Sequence, residues 1–367
     1  MTERVVVVGA SVGGVRTAEA LRQNGFHGEI LLIGAEKHAP YDRPDLSKTF
    51  LQDRRTTHAD LALFKQSPRA QGIQLSLGVA ASELRCDEQV LELEDGSRIA
   101  FDHCVVATGS SARRGPWRYT ADMHVLRTVD DALALRKHLG PGVRVAVIGA
   151  GFVGAEVASS AAAMGCDVTV IDSAQVPLMR VLGLRIGTVL ADLPRRYGVR
   201  LRLGVGVTSV AHSAEGISLT LTDGHKVDAD VVVVGIGAEP TDDWLNSSGL
   251  DISDGLECDS YCRAIAHPRI YGVGDVARWY HRGYGASVRL EHWTNAVEQA
   301  RAVAHNIVHP HNPVDYSPVE YVWSDQYGVK LQFSGRFSCA ETFEVIGDLV
   351  GHPTPQAAIL CADANRN

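Results

Sequence analysis

No Cys-x-x-Cys pair occurs in this chain. Its seven cysteines, Cys86, Cys104, Cys166, Cys258, Cys262, Cys339 and Cys361, are odd in number and scattered, which suits reduced thiols rather than a disulfide framework. Cys258 and Cys262 lie close in sequence, but no His or Cys beside them completes a metal site. They read as small buried hydrophobes, and no metal is expected. Basic charge is also short: 35 Lys and Arg stand against 43 Asp and Glu, a net charge of −8. Nucleic-acid binding needs a basic footprint that this balance lacks. No apolar run reaches the roughly 18 residues of a membrane span, and the N-terminus carries no secretory h-region followed by a cleavage site. The expectation is a cytoplasmic protein with neither nucleic acid nor membrane as partner. Its 367 residues suit two or three domains.

What the chain does contain is a repeated turn. "VVVVGASVGG" (5–14) runs from a β-branched stretch, as in strands buried on both faces of a parallel sheet, into a glycine-rich turn and a helical stretch. "EILLIGAE" supplies the next strand, which completes a βαβ unit. "VAVIGAGFVGAE" (145–156) repeats the pattern and ends in the strand "DVTVID". The similarity continues: "GIQLSLGV" (72–79) is echoed by "GVRLRLGV" (198–205), and "LELEDGSRIAFDHCVVATG" (91–109) by "LTLTDGHKVDADVVVVGIG" (219–237). Each half therefore reads as a nucleotide-binding βαβ followed by a β-meander with a DG turn. "IYGVGDVA" (270–277) gives a further strand and turn that return to the first half, so the second half is an insertion. From about residue 316 an alternating, aromatic-bearing segment suggests a third domain. The predicted division is 1–110 with 238–315, then 111–237, then 316–367.

In G-x-G-x-x-G the first glycine makes the turn, the second lets the backbone approach a pyrophosphate, and the third lets helix and strand pack closely. The pyrophosphate then meets the helix N-terminus. These positions are Gly149, Gly151 and Gly154 in the second copy, and Gly9, Ser11 and Gly14 in the first. Serine is small, and its hydroxyl could itself donate to a phosphate. Asp172 closes the second βαβ, where a carboxylate accepts from ribose hydroxyls and repels a 2′-phosphate. No Arg or Lys follows at once, which favours NAD over NADP; alternatively Asp172 only caps a turn.

With "YDRPDLSK" (41–48), "VVATGS" (105–110), "LRT" (126–128), "VGDVA" (273–277), "LEHWTNA" (290–296) and "WSDQY" (323–327), the chain resembles the FAD-dependent NADH:ferredoxin reductases. That family sits in the pyridine nucleotide-disulfide oxidoreductase superfamily and has no redox disulfide. The resemblance spans roughly residues 4–335. It implies an α/β, glutathione-reductase-like fold: two Rossmann-like dinucleotide-binding domains plus a C-terminal α+β domain that is incomplete here. It implies FAD at the first turn and NAD(H) at the second, with serine in the first turn a habit of the family. FAD contacts are expected from Gly9, Ser11, Gly14, Arg43, Lys48, Arg127 and Asp275. Glu291, His292, Trp293 and Trp323 are expected on the flavin side and around the nicotinamide. Arg180 and Gly237 are expected at NAD, with Gly149, Gly151, Gly154 and Asp172. Lys48 and Glu156 are the expected catalytic pair. Each has a plainer alternative: Arg43 and Arg127 as solvated arginines, Asp275 as a turn former, Glu156 as a first-turn glutamate favoured by the helix dipole, and Trp323 as core.

Two departures stand out. The family's Pro-Pro-Leu-Ser-Lys reads Pro44-Asp45-Leu46-Ser47-Lys48, and its Gly-Asp-Glu reads Gly34-Ala35-Glu36, so that one adenosine-ribose contact is either lost or moved to Glu36. The function implied is hydride transfer from NADH to FAD, then single electrons to a [2Fe–2S] ferredoxin that serves a cytochrome P450 or oxygenase. Arg113, Arg114 and Arg118 are a candidate docking patch, or simply a solvated run. The alternatives are an NADH-gated flavoprotein acting through redox-dependent assembly, as in apoptosis-inducing-factor-like relatives, or an NADH oxidase or rubredoxin reductase. A monomer or homodimer is expected.

Overall fold

The computed structural model describes residues 2–214, 216–336, 342–348 and 356–362. Cys339 lies outside them. The chain divides into two units: Met1–Asp42 with His58–Ser111 and Glu239–Tyr321, and Arg43–Thr57 with Ala112–Ala238 and Val322–Asn367.

In the first unit five parallel strands lie in the order Ile73–Leu77, Glu29–Gly34, Arg4–Val8, His103–Val106, His267–Gly272. Val5, Val6 and Val7 are fully buried, as a strand covered on both faces requires. The helix Val12–Gln23 follows the first strand, buries Ala18 and Leu21, and ends before Gly25 at φ +85°. It packs against the helix Trp293–Val308. A satellite meander, Ala81–Arg85, Val90–Leu93 and Arg98–Ala100, turns at Asp95-Gly96, where the Asp95 carboxylate accepts the Ser97 N–H at 2.9 Å. Trp279 is fully buried in this core, and its indole donates to the Tyr316 carbonyl at 3.0 Å.

The second unit repeats the scheme. Its parallel strands run Arg200–Leu203, Asp167–Asp172, Arg144–Ile148, Val231–Val234, Met123–His124. Its meander, Val207–Ser213, Gly216–Leu221 and Lys226–Ala229, turns at Asp223-Gly224 with the same bond, from His225 N–H to Asp223 at 3.0 Å. The fifth strand enters differently in the two sheets: His267–Gly272 comes late in the chain, Met123–His124 early. The last segment adds the hairpin Tyr321–Gln326 with Val329–Ser334 and the pair Thr342–Asp348 with Gln356–Ala362. Within this unit Phe333, Phe343 and Ile359 pack on Leu178, Leu182 and Ile186.

The two glycine turns superimpose in kind. Gly9 and Gly149 sit at φ +116° and +107°, where a side chain is strained. A Cβ on Gly14 would collide with the Gly9 carbonyl oxygen, and one on Gly154 with that of Gly149. The middle position differs. Ser11 (φ −100°, ψ −165°) and Gly151 (φ −76°, ψ −172°) are both extended helix N-caps. A Cβ at Gly151 meets no atom within 4 Å, so this position accepts serine without strain, and serine is a favoured N-cap. Ser11→Gly and Gly151→Ser should therefore each change unfolding free energy by no more than about 0.5 kcal/mol. Gly154→Ala should cost about 1–3 kcal/mol. Urea melts followed by circular dichroism measure all three, and a Gly154→Ala melt that matches wild type would refute the close-approach argument.

Candidate functional site

In the first unit, strands Arg4–Val8, His103–Val106 and His267–Gly272 end side by side. Their C-terminal ends place the 9–14 turn, residues 107–110 and the Val273–Asp275 turn together. The Gly13 position lies against Val273, and the Ser110 hydroxyl donates to the Asp275 carboxylate at 2.7 Å. The first amides of helix Val12–Gln23 precede its first backbone bond, from Val15 N–H to the Ser11 carbonyl at 2.9 Å, as at any helix start. A glycine cradle, the donating amides of a helix start and an accepting carboxylate converge there, a set that fits a dinucleotide. At the end of the neighbouring strand, Glu36 accepts from the Tyr41 hydroxyl at 2.5 Å.

Glu291 is exposed and pairs with Arg289 at 2.7 Å, and Arg289 also donates to the Asp275 carbonyl at 3.2 Å. The Trp293 indole is tied to the Asp42 carboxylate at 2.8 Å. His292 occupies the N-cap position of the helix Trp293–Val308 without a side-chain capping bond. Its Nδ1 is buried with no hydrogen-bond partner among the described residues, and burial pushes its imidazole below the ordinary histidine value.

In the second unit, the Asp172 carboxylate accepts from Ala150 N–H at 2.6 Å and from Ala174 N–H at 2.7 Å. It thereby ties the glycine turn to the end of its strand. Gly237 is at φ +116°, and Arg180 is exposed on the helix Met179–Leu190. Arg43 donates to the Arg127 carbonyl at 2.6 Å. Arg113, Arg114 and Arg118 are exposed, with the Arg114 guanidinium over the Tyr119 ring at 4.9 Å.

Lys48 and Glu156 are in contact. The ammonium stands 3.0 Å from Glu156 Oε2 and donates to the Pro44 carbonyl at 2.8 Å. Glu156 lies in the first turns of the helix Phe152–Ala163, only 6% exposed. Ser47 Oγ donates to its Oε2 at 2.5 Å, Ser324 Oγ to its Oε1 at 2.7 Å, and Asp325 N–H to Oε1 at 3.3 Å. A buried carboxylate with this many donors has its charge compensated on both oxygens. Trp323, half-buried, precedes Ser324 on the strand Tyr321–Gln326. The same helix holds Tyr327 N–H through Ser159 Oγ at 2.7 Å, and the Ser47 carbonyl through Ser160 Oγ at 2.6 Å. Sequence reading found Lys48 and Glu156 but missed Ser47, Ser324 and Gln326. The only signal for these three was their place inside "RPDLSK" and "WSDQY".

The family model of pyridine nucleotide-disulphide oxidoreductases matches residues 3–300. The chain belongs to this family. It is 38% identical over 349 residues to the ferredoxin--NAD(+) reductase component of the anthranilate 1,2-dioxygenase system of Burkholderia cepacia, covering 94% of this chain and 84% of the relative. It is 34% identical over 351 residues to rhodocoxin reductase of Rhodococcus erythropolis, covering 94% and 81%. Among solved structures it is similar to the covalent putidaredoxin reductase–putidaredoxin complex, with a TM-score of 0.92 and 31% identity over 99% of this chain and 87% of that one. The family reading of the motifs and the α/β class agree with these likenesses. No helix among the described residues is long and apolar enough to cross a membrane.

The buried histidines set an acid limit. Burial lowers the His292, His124 and His103 imidazoles below the ordinary value. Below about pH 6.5 the unfolded chain takes up protons that the folded chain refuses. Stability should thus hold above that pH and fall as pH drops beneath it. Melting temperatures at pH 7.5 and 5.5 test this, and His124→Asn should flatten the slope. A slope unchanged by that substitution would remove His124 from the account.

Proposed function

We propose that this chain is an NADH-dependent ferredoxin reductase: it takes hydride from NADH and passes electrons singly to a [2Fe–2S] ferredoxin that serves an oxygenase or P450. The observation that carries the reading is the buried pair of Lys48 with Glu156, the latter on the helix that opens at the second glycine turn. Residues 1–110 with 238–315 form the FAD-binding domain in this reading, 111–237 the NAD-binding domain, and 316–367 the C-terminal domain. The free state of the six described cysteines supports a cytoplasmic setting.

Gly9, Ser11, Gly14, Glu36 and Asp275 would hold FAD, with Arg43, Lys48 and Arg127. Gly149, Gly151, Gly154, Asp172, Arg180 and Gly237 would hold NAD(H), and Glu291, His292, Trp293 and Trp323 would border the rings. Bound FAD supplies the hydride acceptor and the one-electron donor. The protein's own work is positional and electrostatic. The glycine turns present helix amides to the pyrophosphates. Asp172 accepts from the ribose hydroxyls and repels a 2′-phosphate. An ammonium has three donors; Pro44 accepts one and Glu156 pairs with the group, so Lys48 would have a donor left for the flavin. Glu156 fixes that ammonium and balances its charge, both side chains being largely buried.

Anaerobic stopped-flow reduction with NADH tests this. Lys48→Met and Glu156→Gln should each slow the limiting rate of flavin bleaching about 10- to 100-fold. Asp172→Ala should narrow the preference for NADH over NADPH. Reduction at the wild-type rate in both pair variants would overturn the role given to them. Failure of several ferredoxins to accept electrons from a promptly reduced enzyme would overturn the partner assignment.

A further inference from the structure

We infer that Ser324 and Gln326 are positioning residues, which aim the Glu156 carboxylate at Lys48. The inference rests on the hydride-transfer reading above and adds to it the groups that set its geometry. Ser324 is fully buried and Gln326 is 6% exposed. Gln326 Nε2 donates to Ser324 Oγ at 3.0 Å, and Ser324 Oγ donates to Glu156 Oε1 at 2.7 Å.

The direction of this chain is fixed by chemistry. An amide nitrogen only donates, and a hydroxyl carries a single proton. Once Gln326 fills an acceptor site on Ser324, the serine proton is committed to Glu156. Asp325 N–H supports the same oxygen at 3.3 Å. Oε1 is thus held by the strand Tyr321–Gln326, which leaves Oε2 to Ser47 at 2.5 Å and Lys48 at 3.0 Å. A carboxylate pinned at one oxygen cannot rotate away from its cation, so the ammonium keeps one place. Pre-set donors of this kind cost no reorganisation when charge moves.

A plain structural clamp would use the same bonds, so the test must separate the two. The experiment is anaerobic stopped-flow reduction by NADH of FAD-loaded wild type, Ser324→Ala, Glu156→Gln and the double variant. NAD⁺ affinity of the oxidised protein is measured alongside from flavin absorbance. Ser324→Ala should lower the limiting rate about tenfold while the NAD⁺ dissociation constant stays within about twofold. The double variant should be no slower than Glu156→Gln alone, because Ser324 acts only through that charge. Gln326→Leu keeps the hydroxyl but frees its proton. It should lose rate in the same direction, and it serves as the test if Ser324→Ala fails to fold. A wild-type rate in Ser324→Ala, or losses that multiply in the double variant, would overturn the inference. A wild-type rate in Glu156→Gln would instead overturn the hydride-transfer reading beneath it.

Discussion

The carboxylate of Glu156 is the constraint on which the second unit depends. A buried charge without partners costs far more than a folded domain has to spare. Its four donors come from segments remote in sequence: Ser47 and Lys48 on one side, Ser324 and Asp325 on the other. Ser159 and Ser160, on the same helix, hold Tyr327 N–H and the Ser47 carbonyl. One short alanine-rich helix thus recruits two distant stretches by polar contacts. These polar ties act beside the packing of Phe333, Phe343 and Ile359 on Leu178, Leu182 and Ile186 in grouping Arg43–Thr57 and the described residues from Val322 with residues 112–238. Removing the charge would release more than one ion pair; it would loosen the attachment of both stretches.

The serine in the first turn follows from the same local physics. Of the three motif positions, only the first and third are crowded by backbone. The middle one is an extended N-cap in both copies, with no demand for positive φ. Glycine and serine are both acceptable there, and only the space left for a bound pyrophosphate distinguishes them.

Much of the fold was readable because it is periodic or repeated. The β-branched runs, the glycine turns and the two DG turns are local signals, and the offset between the copies fixed their common order. The return of "IYGVGDVA" to the first half was anticipated, but not that its strand, His267–Gly272, pairs with His103–Val106. The site was legible only in part. Lys48, Glu156 and Asp172 belong to dense motifs. Ser47, Ser324 and Gln326 are common residue types whose meaning appears only when the chain brings 47, 156 and 324 together. The tie from Trp293 to Asp42, and that from Arg289 to Glu291 and the Asp275 carbonyl, are likewise contacts that no spacing rule announces.

Asp172 has a structural role in the turn that is compatible with the recognition role proposed for it. The sequence left two readings: an acceptor for ribose hydroxyls or a cap on a turn. Its carboxylate already binds two backbone amides, Ala150 and Ala174, so the capping reading holds. An ionised carboxylate offers about four acceptor positions, and one on each oxygen is filled. The remaining positions face no loss of orientational freedom on binding, because the amides have fixed the group beforehand. The bond to Ala150 also ties the carboxylate to the turn that would hold the pyrophosphate. A substitution here would therefore disturb phosphate and ribose recognition together. In the proposed reading, discrimination against a 2′-phosphate would follow from turn architecture, not from a separate device.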